Sequence, residues 1–123
     1  MQPTKSFADL IVWQKSYKLC VALYQITKLF PANEDYGLTS QIRRCSVSIP
    51  SNIAEGYGRK NRKEYIQFLY TANGSLAEFQ TQLMLAKDIG YLKTEDFNTL
   101  YALSQEVGRM LWKMIVGLKE NTP

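Results

Sequence analysis

Histidine is absent from all 123 residues. That excludes His-based general acid–base catalysis, Ser–His and Cys–His nucleophile pairs, and nearly every zinc site. Cysteine is scarce: Cys20 and Cys45 are too few and too far apart for a disulfide framework or a metal knuckle. The glycines at 56, 58, 74, 90, 108 and 117 form neither a dinucleotide fingerprint nor a phosphate-binding loop. No uninterrupted apolar run reaches the roughly 18 residues that a membrane span needs, and the N-terminus lacks a basic-then-apolar leader pattern. The expectation is a soluble, cytoplasmic, non-enzymatic protein with no membrane association, no metal and no cofactor.

What is present is a globular composition, 46% hydrophobic and 21% charged, in a length suited to one domain over 1–123. The net charge of +4 is unevenly placed. Between residues 38 and 63 stand Arg43, Arg44, Arg59, Lys60, Arg62 and Lys63 against Glu55 alone, a local net of +5. Such a run has two readings, a solvated helix end or an electrostatic footprint for a polyanion, nucleic acid foremost.

Helical periodicity dominates. Leu38, Ile42, Cys45, Ile49, Asn52 and Gly56 alternate at steps of 4 and 3, as do Tyr65, Leu69, Ala72, Leu76, Phe79, Leu83 and Ala86. A third such stripe runs through Phe97, Leu100, Ser104, Val107, Leu111, Met114 and Leu118. This alternation keeps one apolar seam facing a partner helix. Punctuation predicts helices over about 8–29, 38–57, 62–89 and 95–118. The first stops before Phe30-Pro31. Thr39 is a candidate cap for the second, and Asn61 with Glu64 has capping-box spacing for the third. Gly90 suits a C′ position, and Thr94 an N-cap followed by Glu95 and Asp96. Short connections between long amphipathic helices predict an all-α, antiparallel up-down-up-down four-helix bundle. Pro50 removes a backbone donor, yet the stripe stays in phase across it. One kinked helix is expected, with Ser46 and Ser48 placed to serve the freed backbone group.

Two features predict that the bundle is not alone. Residues 10–30 contain 14 apolar residues of 21, well above the roughly three in seven that one buried face requires. The third helix carries Ile66, Tyr70, Ala77 and Met84 outside its seam, with Gly74 on the same outer side. These five residues are the candidate oligomer interface. The cysteines fall on apolar stripes and read as core residues. Tyr57, Tyr65 and Tyr70 adjoin the basic run, where core packing is the reading preferred over stacking on bases. Glu55 and Glu78 read as seam partners rather than as a catalytic pair.

The string itself is distinctive: Gln41-Ile42-Arg43-Arg44, then Ser48-Ile49-Pro50-Ser51-Asn52-Ile53-Ala54-Glu55-Gly56, then Gly74-Ser75-x-x-Glu78. With Val12-Trp13-Gln14-Lys15 and Phe30-Pro31 upstream, it closely resembles the four-helix-bundle family of 23S rRNA intervening-sequence proteins. The resemblance implies an antiparallel bundle assembled as a homopentamer, with no known catalysis. A related branch of that family, the accessory variability protein of diversity-generating retroelements, works with a reverse transcriptase and nucleic acid, but this sequence looks more like the intervening-sequence branch. Among the shared polar positions, Asn52, Glu55, Ser75 and Glu78 are expected to form a network that fixes the register of helices 2 and 3. Arg43, Arg44, Arg59, Lys60, Arg62 and Lys63 are the candidate RNA- or DNA-binding residues, with Lys113 and Lys119 expected to lie outside the patch. The rival expectation is a protein–protein adaptor that docks an acidic partner.

Overall fold

The structure, a computed structural model, describes residues 4–120. It contains α1 (Ile11–Thr27), α2 (Leu38–Tyr57), α3 (Arg62–Asp88) and α4 (Thr94–Glu120), with no strand among the described residues. Short 3-10 turns at Phe7–Asp9 and Ala32–Glu34 lead into α1 and α2.

The helices are packed in a ring, α1 against α2 and α4, and α3 against α2 and α4, with the α2–α3 contact the most extensive. Their directions follow from pairs of touching residues. Thr27 meets Arg43 while Cys20 meets Ser46, so α1 and α2 are antiparallel. Cys45 meets Glu78 and Ser48 meets Ser75, each step down α2 matched by a step back along α3. Gln80 meets Ser104 and Tyr70 meets Lys119, which sets α4 against α3 in the same sense. Lys15 pairs with Glu106 at 2.7 Å and closes the ring between α1 and α4. The expected up-down-up-down bundle is the observed one.

The apolar stripes are the core. Leu69, Ala72, Leu76, Phe79, Leu83 and Ala86 are the buried residues of α3, with Tyr65 half-buried at its start. In α2 the stripe buries Leu38, Ile42, Cys45, Ile49 and Gly56, with Ile53 added and Asn52 only half-buried. In α4 burial follows Leu100, Ser104, Val107 and Leu111 and then moves to Ile115, so Met114 and Leu118 flank the core instead of filling it. The buried positions of α4 take a step of 4 from Leu111 to Ile115 where the strict alternation has a step of 3.

Helix ends depart from expectation in specific ways. Residues 6–9 form a capping box of their own, with Ser6 Oγ accepting from the Ala8 N–H and the Asp9 carboxylate accepting from the N–H groups of Lys5 and Ser6. Consequently α1 begins at Ile11 and not at 8. Thr39 does not cap α2. The N-cap is Gly37, and the Glu34 carboxylate reaches forward to accept the Leu38 N–H at 3.1 Å. Asn61 does cap α3, its Oδ1 accepting the Glu64 N–H at 2.8 Å. The far end of α3 closes as a Schellman motif around Gly90 (φ +88°), with Tyr91 N–H on the Ala86 carbonyl and Gly90 N–H on the Lys87 carbonyl. The Phe97 N–H donates to the Lys93 carbonyl, so Thr94 is the first helical residue of α4, not its cap.

Pro50 is buried within one uninterrupted α2. Neither serine beside it serves the freed carbonyl of Ser46. The Ser46 hydroxyl donates to the Arg43 carbonyl at 2.7 Å, and that of Ser48 faces Ser75. At Gly56 the backbone of α2 lies close against α3. A Cβ there would lie 2.8 Å from Phe68 Cβ and 3.0 Å from Tyr65 Cδ1.

Candidate nucleic-acid interface

The basic residues that are close in sequence are divided in space. Arg43 and Arg44 lie in the first half of α2, while Arg59, Lys60, Arg62 and Lys63 surround the α2–α3 turn. At 1.5 Å per residue, about 20 Å of helix separates Arg44 from the end of α2 at Tyr57, just before Arg59.

The first group is not simply outward. Arg43 Nε donates to Thr27 Oγ1 at 2.8 Å and Nη2 donates to the Tyr24 carbonyl at 3.4 Å. Its guanidinium also lies 4.7 Å from the centre of the Tyr24 ring. Arg43 therefore ties α2 to α1 and presents only part of its donor set. Arg44, next to it, is exposed.

At the turn, Arg59 lies 3.7 Å from Glu55 and covers the Phe68 ring at 4.7 Å. Lys60, Arg62 and Lys63 are exposed. Arg59 and Lys60 follow the C-terminus of α2, where the helix dipole favours cations. Arg62 and Lys63 occupy the first turn of α3, where it disfavours them by about 0.3–1 kcal/mol each. Lys63 shares a small cleft with Ile66, Gln67, Tyr70 and Lys119. Lys119 Nζ donates to the Tyr70 hydroxyl and sits 4.9 Å from the ring centre. Lys119 thus belongs to this end of the bundle, against the expectation that it lies apart. Nothing in the sequence linked residues 63 and 119; only the antiparallel pairing of α3 and α4 does. Tyr57 and Tyr65 pack edge-to-face at 6.3 Å, and burial raises the Tyr65 phenol above its ordinary range.

Three of the four expected network residues lie on the α2–α3 seam. Asn52 Nδ2 donates to the Ser48 carbonyl (2.8 Å) and hydroxyl (3.0 Å), and that hydroxyl bonds Ser75 Oγ at 2.8 Å. Ser48 is the link that sequence reading did not assign. Glu78 accepts from the Cys45 thiol at 3.3 Å. Burial first, and the Glu78 carboxylate second, push that thiol up to about 11. Glu55 is the correction: its side chain is 62% exposed and faces Arg59, four residues along the same helix, away from the seam.

Of the outer residues on α3, Tyr70, Gly74, Ala77 and Met84 are exposed and Ile66 is half-buried against the core. A Cβ built at Gly74 meets nothing within 4 Å beyond its own turn of helix. Tyr17 and Val21 are exposed on α1, as the surplus of apolar residues there predicts. Trp112, 55% exposed on α4, escaped notice because it falls one position off the stripe through Leu111. It borders an α3–α4 groove of about 580 Å³ with Ala77, Tyr101, Gly108 and Arg109.

Among the described residues no group of three or more His, Cys, Asp or Glu could hold a metal, and no helix is long and apolar enough to cross a membrane. The molecule is thus defined as a four-helix bundle with a basic turn and a polar seam. The chain belongs to the 23S rRNA-intervening sequence protein family, whose profile matches residues 8–113. It is similar to a crystal structure from Bacteroides thetaiotaomicron, described as a protein of unknown function from the S23 ribosomal protein family. That likeness has a TM-score of 0.79 and 25% identity, and covers 85% of this chain and 98% of the other. No curated protein matches the sequence.

Proposed function

We propose that this protein is a non-enzymatic, cytoplasmic homo-oligomer that associates with RNA or DNA through the basic end formed by Arg59, Lys60, Arg62, Lys63 and Lys119. The observation that carries the reading is the placement of Arg62 and Lys63. Two exposed cations stand in the first turn of α3, against the helix dipole, where local stability alone selects acidic residues. The family name, which refers to a segment of ribosomal RNA, supports the same direction. Five copies are what the family resemblance implies. The exposed face of Tyr70, Gly74, Ala77 and Met84 and the apolar outer side of α1 are the surfaces proposed to meet between copies. A ring repeats a modest basic patch once per copy, so weak phosphate contacts act together.

Binding to generic RNA and DNA is expected at low salt, with little sequence preference. The slope of log affinity against log salt should be about −0.9 per phosphate neutralised on duplex DNA and about −0.7 on single strands. Reversing charge at Arg59, Lys60, Arg62 and Lys63 together should flatten that slope and leave helicity unchanged. Wild-type protein that binds neither RNA nor DNA at about 50 mM salt ends this reading and leaves the adaptor for an acidic protein, a reverse transcriptase among the candidates. Light scattering tests the assembly. A mass several times 14.1 kDa is expected, and a sharp monomer at micromolar concentration overturns it.

A further inference from the structure

We propose that the groove between α3 and α4 takes an adenine nucleotide unit, its base stacked on Trp112 and read at the edge by the Gln80 amide. The inference rests on the functional reading above, in which an unpaired stretch of the bound strand supplies that unit. The groove, of about 580 Å³, has the size of a small-molecule site. Along α4, Trp112 lies about 10 Å from Lys119 of the basic end, so one strand can engage both.

Three observations converge in the groove. The first is an aromatic surface left open. Trp112 is 55% exposed, so much of what an indole gains by burial is unrealised in the single bundle. Side chains lean toward the N-terminus of their helix, which lays the indole over the turn containing Gly108. Gly108 lies close on α3, where a Cβ would stand 3.1 Å from Leu76 Cδ2. With Ala77 on the facing helix, it keeps the lining shallow enough for a planar ring.

The second is an amide of fixed orientation. Ser104 is fully buried, and its one hydroxyl proton goes to the Tyr101 carbonyl at 2.7 Å. The 3.0 Å bond between Gln80 and Ser104 therefore runs from Gln80 Nε2 to Ser104 Oγ. Gln80 Oε1 and the second Nε2 proton have no partner among the described residues. An acceptor beside a donor is the pattern that glutamine offers to N6 and N7 of adenine. Ser104, which holds that amide, precedes Gly108 by about 6 Å of helix, so amide and indole border the same bay.

The third is an unspent cation. Arg109 is the one charged residue of the lining, is exposed, and has no carboxylate within 4.0 Å among the described residues. It is placed to pair with the phosphate of the same nucleotide.

The test compares short oligoadenylate with the same strand carrying 7-deazaadenosine, which keeps the stacking surface and lacks N7. At fixed low salt, oligoadenylate should bind at least about threefold more tightly. Gln80→Met should erase that preference and leave the affinity for the 7-deaza strand unchanged. Trp112→Ala should weaken both strands about fivefold or more, and Trp112→Phe should restore most of the loss. None of these variants should change helicity or assembled mass.

Equal affinity of the two strands for wild type, or wild-type binding by Trp112→Ala, overturns the site. In either case the functional reading survives if reversal of the Arg59–Lys63 cluster still flattens the salt slope. Ala77 also borders the face proposed to meet a second copy, so that copy is the competing occupant. A fall in mass for Trp112→Ala with the preference for oligoadenylate retained assigns the groove to the second copy and refutes the base site. Adenosine monophosphate separates the two sources of the nucleotide. If it binds with the same dependence on Trp112 and Gln80 while no strand binds at about 50 mM salt, the adenine site stands and the nucleic-acid reading falls.

Discussion

The Tyr91 hydroxyl donates to Glu34 Oε2 at 2.9 Å, while Oε1 of the same carboxylate accepts the Leu38 N–H at 3.1 Å. One side chain thereby joins the start of α2 to the end of α3. Both bonds, the backbone one more than the phenol, hold the Glu34 carboxyl below its ordinary range. A group whose folded pKa is depressed stabilises the protein above its unfolded pKa, and that stability is lost as pH falls through the folded value. Wild type should therefore melt higher than Glu34→Gln near neutral pH. The difference should shrink as the medium is acidified below the usual glutamate range. Melts across an acid series check this, and a gap that is constant with pH counts against the ionised carboxylate as its source.

Cys45 should resist alkylation. With its thiol pushed up to about 11, almost none is thiolate near neutral pH, and the side chain is buried as well. Native protein treated with iodoacetamide and mapped by mass spectrometry should show Cys45 unmodified until denaturant is added. Fast native labelling would contradict both the burial and the hydrogen bond from the Cys45 thiol to Glu78.

Gly56 and Gly74 should respond oppositely to alanine. At Gly56 the new methyl meets Phe68 Cβ, an atom that no side-chain rotation can move, so α2 and α3 must separate at a cost of about 1–3 kcal/mol. At Gly74 a Cβ meets nothing within 4 Å beyond its own turn of helix, and relief of the glycine penalty should stabilise the isolated helix by up to about 1 kcal/mol. Denaturant titration measures both. If Gly74 lies between copies, Gly74→Leu should reduce assembly while helical content is retained.

Arg43 and Lys60 carry the same charge and should behave differently. Arg43→Gln removes bonds to Thr27 and Tyr24 and should cost about 1–3 kcal/mol. Lys60→Gln, at an exposed position, should stay within about 0.5 kcal/mol. Equal effects in thermal melts would mean that the Arg43 bonds contribute nothing net.

Asn52→Leu removes both donors to Ser48 and should destabilise by about 1 kcal/mol, toward the low end because Asn52 is half-buried and water can replace part of what is lost. No change in melting temperature would show that the amide makes no net contribution to the seam.

The fold was legible because helical periodicity and end signals are local. Every buried residue of α3 falls on the predicted stripe, and Asn61 and Gly90 mark its ends. The site was legible only in part. Runs of charge appear in sequence, but which end of a helix they occupy, and whether a cation such as Arg43 is already engaged, depends on pairings between helices. Lys119 joins Lys63 only through the α3–α4 contact, and Glu55 left the expected network because its position on α2 faces solvent. Thr39 was misread as a cap because the side chain that takes the Leu38 N–H comes from Glu34, in the preceding turn.

The ring order of the helices also has a kinetic consequence. Three of its four contacts join neighbours in the chain, and only α1 against α4 spans most of the length. Loop-closure entropy is therefore small for every pairing but that one, which places the domain among fast folders. The α2–α3 hairpin, with the largest contact and a capped turn at Asn61, is the natural nucleus. Mutations at Ile49 or Phe79 should slow folding, whereas loss of the Lys15–Glu106 bridge should act almost wholly by speeding unfolding.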